Sequence, residues 1–93
     1  MTVGLLTLEL RLDHSRSLKD KRQVVKSLKD RLRGKFNVAV SEVDAQELWQ
    51  RAVLAAVTVS GDGGHAEQVL QAVESEAAQW LGPILVRAEV EWL

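Results

Sequence analysis

The 93-residue chain carries 12 Lys and Arg, 13 Asp and Glu and no cysteine, with a hydrophobic fraction of 46% and a charged fraction of 27%. Those proportions are ordinary for a globular protein, the length suits one domain that buries about 60 to 65% of its unfolded surface, and the lack of cysteine excludes disulfides and thiolate metal ligands. No apolar run approaches the roughly 20 residues of a membrane span, and no basic segment precedes the first apolar residues, so a cytoplasmic chain without a membrane partner is expected.

From Val3 to Leu12, Leu6, Leu8, Leu10 and Leu12 alternate with Thr7, Glu9 and Arg11, the period-two pattern of a half-buried strand. Asp13 to Arg16 is a short loop into a basic segment that dominates the charge distribution. Ten of the 12 Lys and Arg fall between Arg11 and Lys35 against only three acids, Asp13, Asp20 and Asp30, whereas the remainder of the chain is acidic. Such a split describes what the surface attracts rather than the fold.

Ser17 followed by Asp20 is a helix-start signal of the capping-box kind, and Gly34 marks the expected stop. Leu18, Val25, Leu28 and Leu32, with Val24 at the edge, recur at helical spacing on one arc roughly 120° wide, the core face. Lys19, Arg22, Lys26, Lys29 and Arg33 form a second stripe roughly 80° wide, centred about 120° from the first. A solvated charged face is the simplest reading of such a stripe. Against it, Lys26 and Asp30 are the only i, i+4 pair available, and Lys19, Lys21 and Arg22 lie in the first turns, where the helix dipole disfavours cations. With Arg16 they surround free N–H groups at a helix start, an arrangement suited to anions.

After Gly34, Phe36, Val38 and Val40 alternate with Asn37, Ala39 and Ser41, so a second strand is expected to about Val43. Asp44 to Gln50 is a polar connection holding Trp49. Ala52 to Ser60 reads as a central third strand, since neither face is strongly polar before Thr58. Gly61 to Gly64 breaks it as a turn with Asp62 as helix cap, which suits the chain better than a phosphate cradle because Asp62 would repel an anion. A second helix follows, with Ala66, Val69, Leu70, Val73, Ala77, Trp80 and Leu81 on its apolar face and Gly82 and Pro83 at its end. Ile84, Val86, Ala88, Val90 and Trp92 then alternate with Arg87, Glu89 and Glu91 as a last strand.

This β-α-β-β-α-β order predicts an α+β ferredoxin-like sandwich over residues 1–93, a four-stranded antiparallel sheet with both helices on one face. The predicted strand order is 4-1-3-2, with strands one and three running parallel at its centre and the two helices parallel above it. Val3, Leu5, Leu54, Ala56 and Leu85 are expected on the face away from the helices. That mildly apolar area, rimmed by Glu9, Glu89 and Glu91, predicts a homodimer.

The stretches SLKDKRQVVKSLKDRLR, FNVAVSEV and ELWQRAVLAAV resemble the hallmark stretches of the YlxP-like bacterial family of unknown function, over nearly the whole chain. The resemblance implies a ferredoxin-like fold, no established enzymatic activity, and genes often beside those for transcription and translation factors, hence association with RNA or the ribosome. It carries over Ser17, Lys19, Lys21 and Arg22, then Glu42, and then Trp49, Gln50 and Arg51. Where the family often has a proline in the loop before the first helix, this chain has Asp13 and His14.

Catalytic signals are weak. His14 and His65 are far apart and read as loop histidines, and no HExxH, GxSxG or Cys-His pattern occurs, so neither an enzyme, a cofactor nor a metal site is expected. The chain is therefore read as a non-catalytic binding module for structured RNA or the ribosome, using Arg16, Lys19, Lys21, Arg22, Lys26, Lys29 and Arg33. Glu42, Trp49, Gln50 and Arg51 form a candidate partner contact, in which Trp49 could stack on a base and the charged residues could equally be structural ion pairs. The alternatives are a homo-oligomeric adaptor with complementary charged surfaces and a small-anion sensor at the first helix start.

Overall fold

In the computed structural model, which describes residues 1–93, alternation along β1 (Thr2–Arg11) decides where the core lies. Leu6, Leu8 and Leu10 are fully buried, whereas Val3, Leu5, Thr7 and Glu9, pointing the other way, stay half-exposed. Both helices, α1 (Leu18–Lys35) and α2 (Gly63–Leu81), cover the leucine face, because Val25, Leu28 and Leu32 from α1 and Leu70, Val73 and Ala77 from α2 join those leucines in one cluster. With β2 (Ala39–Asp44), β3 (Arg51–Ser60) and β4 (Leu85–Trp92), the order is β-α-β-β-α-β. The sheet is antiparallel throughout and ordered β2-β3-β1-β4, the ferredoxin-like arrangement of an α+β sandwich.

The predicted strand order holds, but β1 and β3 pair antiparallel, with Leu8 opposite Leu54. Helix α1 returns the chain so that β2 runs in the direction of β1, and the β2–β3 connection then reverses it. The helices consequently run in opposite senses, not in parallel.

Both helices begin as their caps predict. Ser17 Oγ accepts from Asp20 N at 3.1 Å while Asp20 Oδ2 accepts from Arg16 N at 2.9 Å, and Asp62 Oδ1 accepts from Gly64 N at 2.9 Å. At its far end α1 runs past Gly34, which lies within the helix, and Phe36 is the extended cap residue. Phe36 and Val38 pack on the core but precede the strand: Val38 N bonds to Phe36 O at 2.9 Å, a local turn that delays β2 to Ala39. Gly82, at φ 57, closes α2 where glycine tolerates positive φ.

Leu54, Ala56 and Leu85 belong to the core side rather than the open face. Pairing sets this: Ala56 and Leu54 lie opposite Leu6 and Leu8, so Val53, Ala55, Val57 and Val59 face away from the helices. In β4, a bulge at Val86 shifts the register from Glu9–Arg87 to Leu10–Leu85, turning Leu85 toward the core. Trp92 lies opposite Gly4, where a Cβ would come within 2.6 Å of the Trp92 ring and 2.7 Å of Leu70 Cδ1, so glycine makes room for the indole. Trp80, expected in the core, is exposed and carries Arg31 over its ring at 5.5 Å.

Candidate functional site

The basic helix separates into three faces by helical phase, and each face has a different environment. On the core arc, Lys21 stands between Leu18 and Val25 at the 3, 4, 3, 4 spacing of Leu18, Lys21, Val25, Leu28 and Leu32. It is completely buried. Its Nζ donates to the carbonyl oxygens of Ala45 at 2.8 Å, Gln46 at 3.1 Å and Arg51 at 3.3 Å. It also lies 2.9 Å from Glu42 Oε2, whose hold is ionic because that oxygen accepts no angularly regular hydrogen bond. An ammonium has three protons, so these four oxygens account for its full donor capacity. Lys21, expected among the anion-binding bases, has no surface to offer an anion.

The shoulder turned toward α2 carries Arg31 and Lys35, which reach Glu76 at 2.8 and 3.1 Å. Hydrogen bonds from Arg31 and then Lys35 hold the Glu76 carboxyl below its ordinary range. These contacts join the two helices.

The opposite shoulder carries Lys19, Arg22, Lys26, Lys29 and Arg33, and flanks the β2 edge of the sheet, where an open groove of about 410 Å³ runs between Arg22, Lys26, Lys29, Arg33 and Glu42. Lys26 pairs with Asp30 at 2.6 Å, and the hydrogen bond from Lys26 lowers the Asp30 pKa. Arg16, Lys19, Arg22, Lys29 and Arg33 have no acidic partner, although every other Lys and Arg in the chain has one. The unpaired cations thus belong to one helix and the loop before it. At the helix start the capping box engages Asp20, so a carboxylate already occupies the end at which the small-anion reading would place its ligand.

The second group of sequence-derived residues divides in the same way. Glu42 holds Lys21. Gln50 Nε2 donates to the carbonyls of Asp13 at 3.1 Å and Ser15 at 3.2 Å, tying the β2–β3 loop to the β1–α1 loop. Arg51 Nε donates to Glu9 Oε2 at 2.7 Å, and that bond raises the Arg51 pKa. Of these four residues, Trp49 alone makes no side-chain hydrogen bond or ion pair; it is 52% exposed, beside Leu48 at 50%. The loop that displays them is held at its base by Lys21 and turns at Ala45, a non-glycine residue at φ 61. The Lys21 anchor is legible as a basic residue in an apolar heptad-like slot, a signal that the charge count obscures.

His14 and His65 are both exposed, His65 in the first turn of α2 rather than in a loop. No three His, Asp or Glu side chains gather into a metal-holding group, and no helix is long and apolar enough to cross a membrane.

Residues 3–89 match the family described as "Protein of unknown function (DUF503)". The chain is 37% identical over 71 residues to the uncharacterized protein YlxP of Bacillus subtilis (strain 168), spanning 76% of this chain and 77% of that one. Its fold is similar to the crystal structure of At3g17210 from Arabidopsis thaliana, with a TM-score of 0.54 at 16% identity, over 98% of this chain and 92% of that chain. The chain belongs to the DUF503 family.

Proposed function

We propose that this member of a family of unknown function is a non-catalytic cytoplasmic module that binds structured RNA, on the ribosome or elsewhere, through the outer shoulder of α1. The observation that carries the reading is the sorting of cations: Arg16, Lys19, Arg22, Lys29 and Arg33 lack acidic partners while every other base is paired. Lys19, Arg22, Lys26, Lys29 and Arg33 recur at 3, 4 spacing along this shoulder, and all but Lys26 are unpaired, so they present a row of charges to a phosphate backbone, whose neutralisation releases counterions. The opposite side of the sheet suits RNA poorly. It carries Glu9, Glu89 and Glu91 and no aromatic residue on which a base could stack.

Trp49 and Leu48 lie on the loop anchored under the start of α1, which puts an exposed aromatic at the same end of the molecule as Arg16 and Lys19. Phosphate contacts position a nucleic acid and stacking adds sequence-tolerant affinity. The test is binding to a structured RNA, such as ribosomal RNA fragments, by fluorescence anisotropy across a salt series. If about four of the cations meet phosphates, log affinity falls against log salt with a slope of about −3 to −4. The Lys19→Glu/Arg22→Glu double variant weakens binding and flattens that slope. Absence of binding by the wild type at low salt would overturn the reading.

A further inference from the structure

We infer that the free edge of β2 takes up an extended peptide of another protein as an added antiparallel strand. Acidic residues at alternate positions of that peptide then lie under the outer shoulder of α1. β2 closes one side of the sheet, so no strand lies beside its outer edge. Two hydrogen bonds fix which residues present their backbone there. Leu93 N donates to Val3 O and Leu12 N to Gln50 O, each continuing the register of its ladder. Opposed pairs in an antiparallel ladder alternate between exchanging hydrogen bonds and not. Odd-numbered residues of β1 therefore bond to β4, and even-numbered ones bond to Ala52, Leu54, Ala56 and Thr58 of β3. Val57 and Ala55 are left to bond with Ala39 and Ser41 of β2. Val40 and Glu42 consequently turn their N–H and C=O groups outward. In keeping with this, the Glu42 carbonyl receives side-chain donors, Ser41 Oγ at 3.3 Å and Gln46 Nε2 at 3.4 Å.

The charge around this edge selects the occupant. Val40, packed on the core, and Glu42, holding Lys21, project their side chains to the helix side of the sheet. Side chains opposite them in an added strand share that side and enter the groove of about 410 Å³ between α1 and β2. Within the groove Asp30 matches Lys26, and Lys21 matches Glu42, which leaves Arg22, Lys29 and Arg33 uncompensated. Helix α1 runs against β2, with Lys21 near its start meeting Glu42 near the end of the strand. An acid opposite Glu42 thus lies toward Arg22, and one opposite Val40 toward Lys29 and Arg33. In strand addition the backbone bonds give affinity and the alternate side chains give specificity. The same charges exclude a second copy, because pairing β2 with β2 would set two rows of unpaired cations against each other. RNA neutralises the cations but has no alternating N–H and C=O groups for the edge. Peptide and RNA share Arg22, Lys29 and Arg33 and so exclude one another, yet the peptide contact rests on the strand edge and does not depend on RNA binding.

A fluorescein-labelled peptide of threonines with glutamate at alternate positions tests this by anisotropy at low salt, without RNA. The wild type is expected to bind it, and to bind more weakly a peptide of the same composition whose glutamates are adjacent. Arg22→Glu/Lys29→Glu, with unchanged far-UV circular dichroism, should bind the alternating peptide about tenfold more weakly. Hydrogen exchange read by NMR identifies the edge. In the free protein the amide protons of Val40 and Glu42 should exchange faster than that of Ser41, and the peptide should slow both. Absence of peptide binding at low salt overturns the proposal and leaves the RNA reading as it stands. Binding that the double variant does not weaken, or that leaves Val40 and Glu42 unprotected, overturns it too. So does equal protection of both amides by an RNA oligonucleotide, which brings phosphates but no strand.

Discussion

Lys21 and Arg22 are neighbours in the chain, yet the fold uses them for opposite purposes. Lys21 is buried and donates to Ala45, Gln46 and Arg51 beside Glu42, whereas Arg22 stands exposed on a shoulder of unpaired cations. One hundred degrees of helical rotation separates a structural anchor from a surface base. The difference teaches that a run of basic residues is not one feature: each base takes the role of the arc on which it falls. It also connects the two roles, because the Lys21 anchor fixes the loop that displays Leu48 and Trp49 near the start of the basic shoulder.

The sharpest way to break this contrast is Lys21→Met. Removing the ammonium leaves Glu42 and the loop carbonyls without their partner, and a broken buried ion pair costs about 3 to 5 kcal/mol. Urea denaturation should show a loss of that order. Adding Glu42→Leu to Lys21→Met should recover part of it, because the orphaned carboxylate is removed as well.

Gln50→Ala probes the same loop from its other attachment. It deletes the donors to the Asp13 and Ser15 carbonyls, and a loss of about 1 kcal/mol is expected from equilibrium unfolding. Hydrogen exchange should rise in both loops together, whereas a rise confined to residues 45–50 would show that they are not coupled.

The helix-joining face supplies a pH-dependent comparison. Arg31 and Lys35 lower the folded-state pKa of Glu76, so its ion pairs contribute stability above the ordinary carboxylate range. That contribution is lost as pH falls through the lowered folded value. Thermal midpoints recorded from neutral to acid pH should therefore fall less steeply for Glu76→Gln than for the wild type. Identical curves would mean that the helix contact is carried by apolar packing and the stacking of Arg31 on Trp80.

The smallest effect on stability is expected at the exposed shoulder. Lys19→Glu with Arg22→Glu should leave the unfolding free energy unchanged or raise it by about a few tenths of a kcal/mol, since cations are removed from the positive end of the helix dipole. Measured beside Lys21→Met under the same conditions, the double variant separates the two kinds of base. A clear loss of stability would mean that the shoulder serves the fold.

Periodicity and punctuation made much of this architecture legible from residues alone. Leu6, Leu8 and Leu10 alternate and are buried together, Ser17 and Asp62 cap the helices they precede, and Gly82 ends α2 at positive φ. Such signals are local: the backbone period and the unsatisfied groups of a helix end act within a few residues of where they are written. The predicted strand order was right as well, while the relative direction of β1 and β3 and the inward face of β3 were not. Along Ala52 to Val59 both alternating sets are largely apolar, so only pairing with β1 could choose between them. The same holds for Leu85, turned inward by a bulge that its own alternation does not announce. Lys21 is the most instructive of these residues. Its heptad-like slot among leucines and valines was present in the sequence, but burying an ammonium is tolerable only where oxygens from distant positions converge on it. The carbonyls of Ala45, Gln46 and Arg51 and the carboxylate of Glu42 lie 21 to 30 residues away along the chain, and the packing of α1 against β2 and its loop brings them to that one nitrogen.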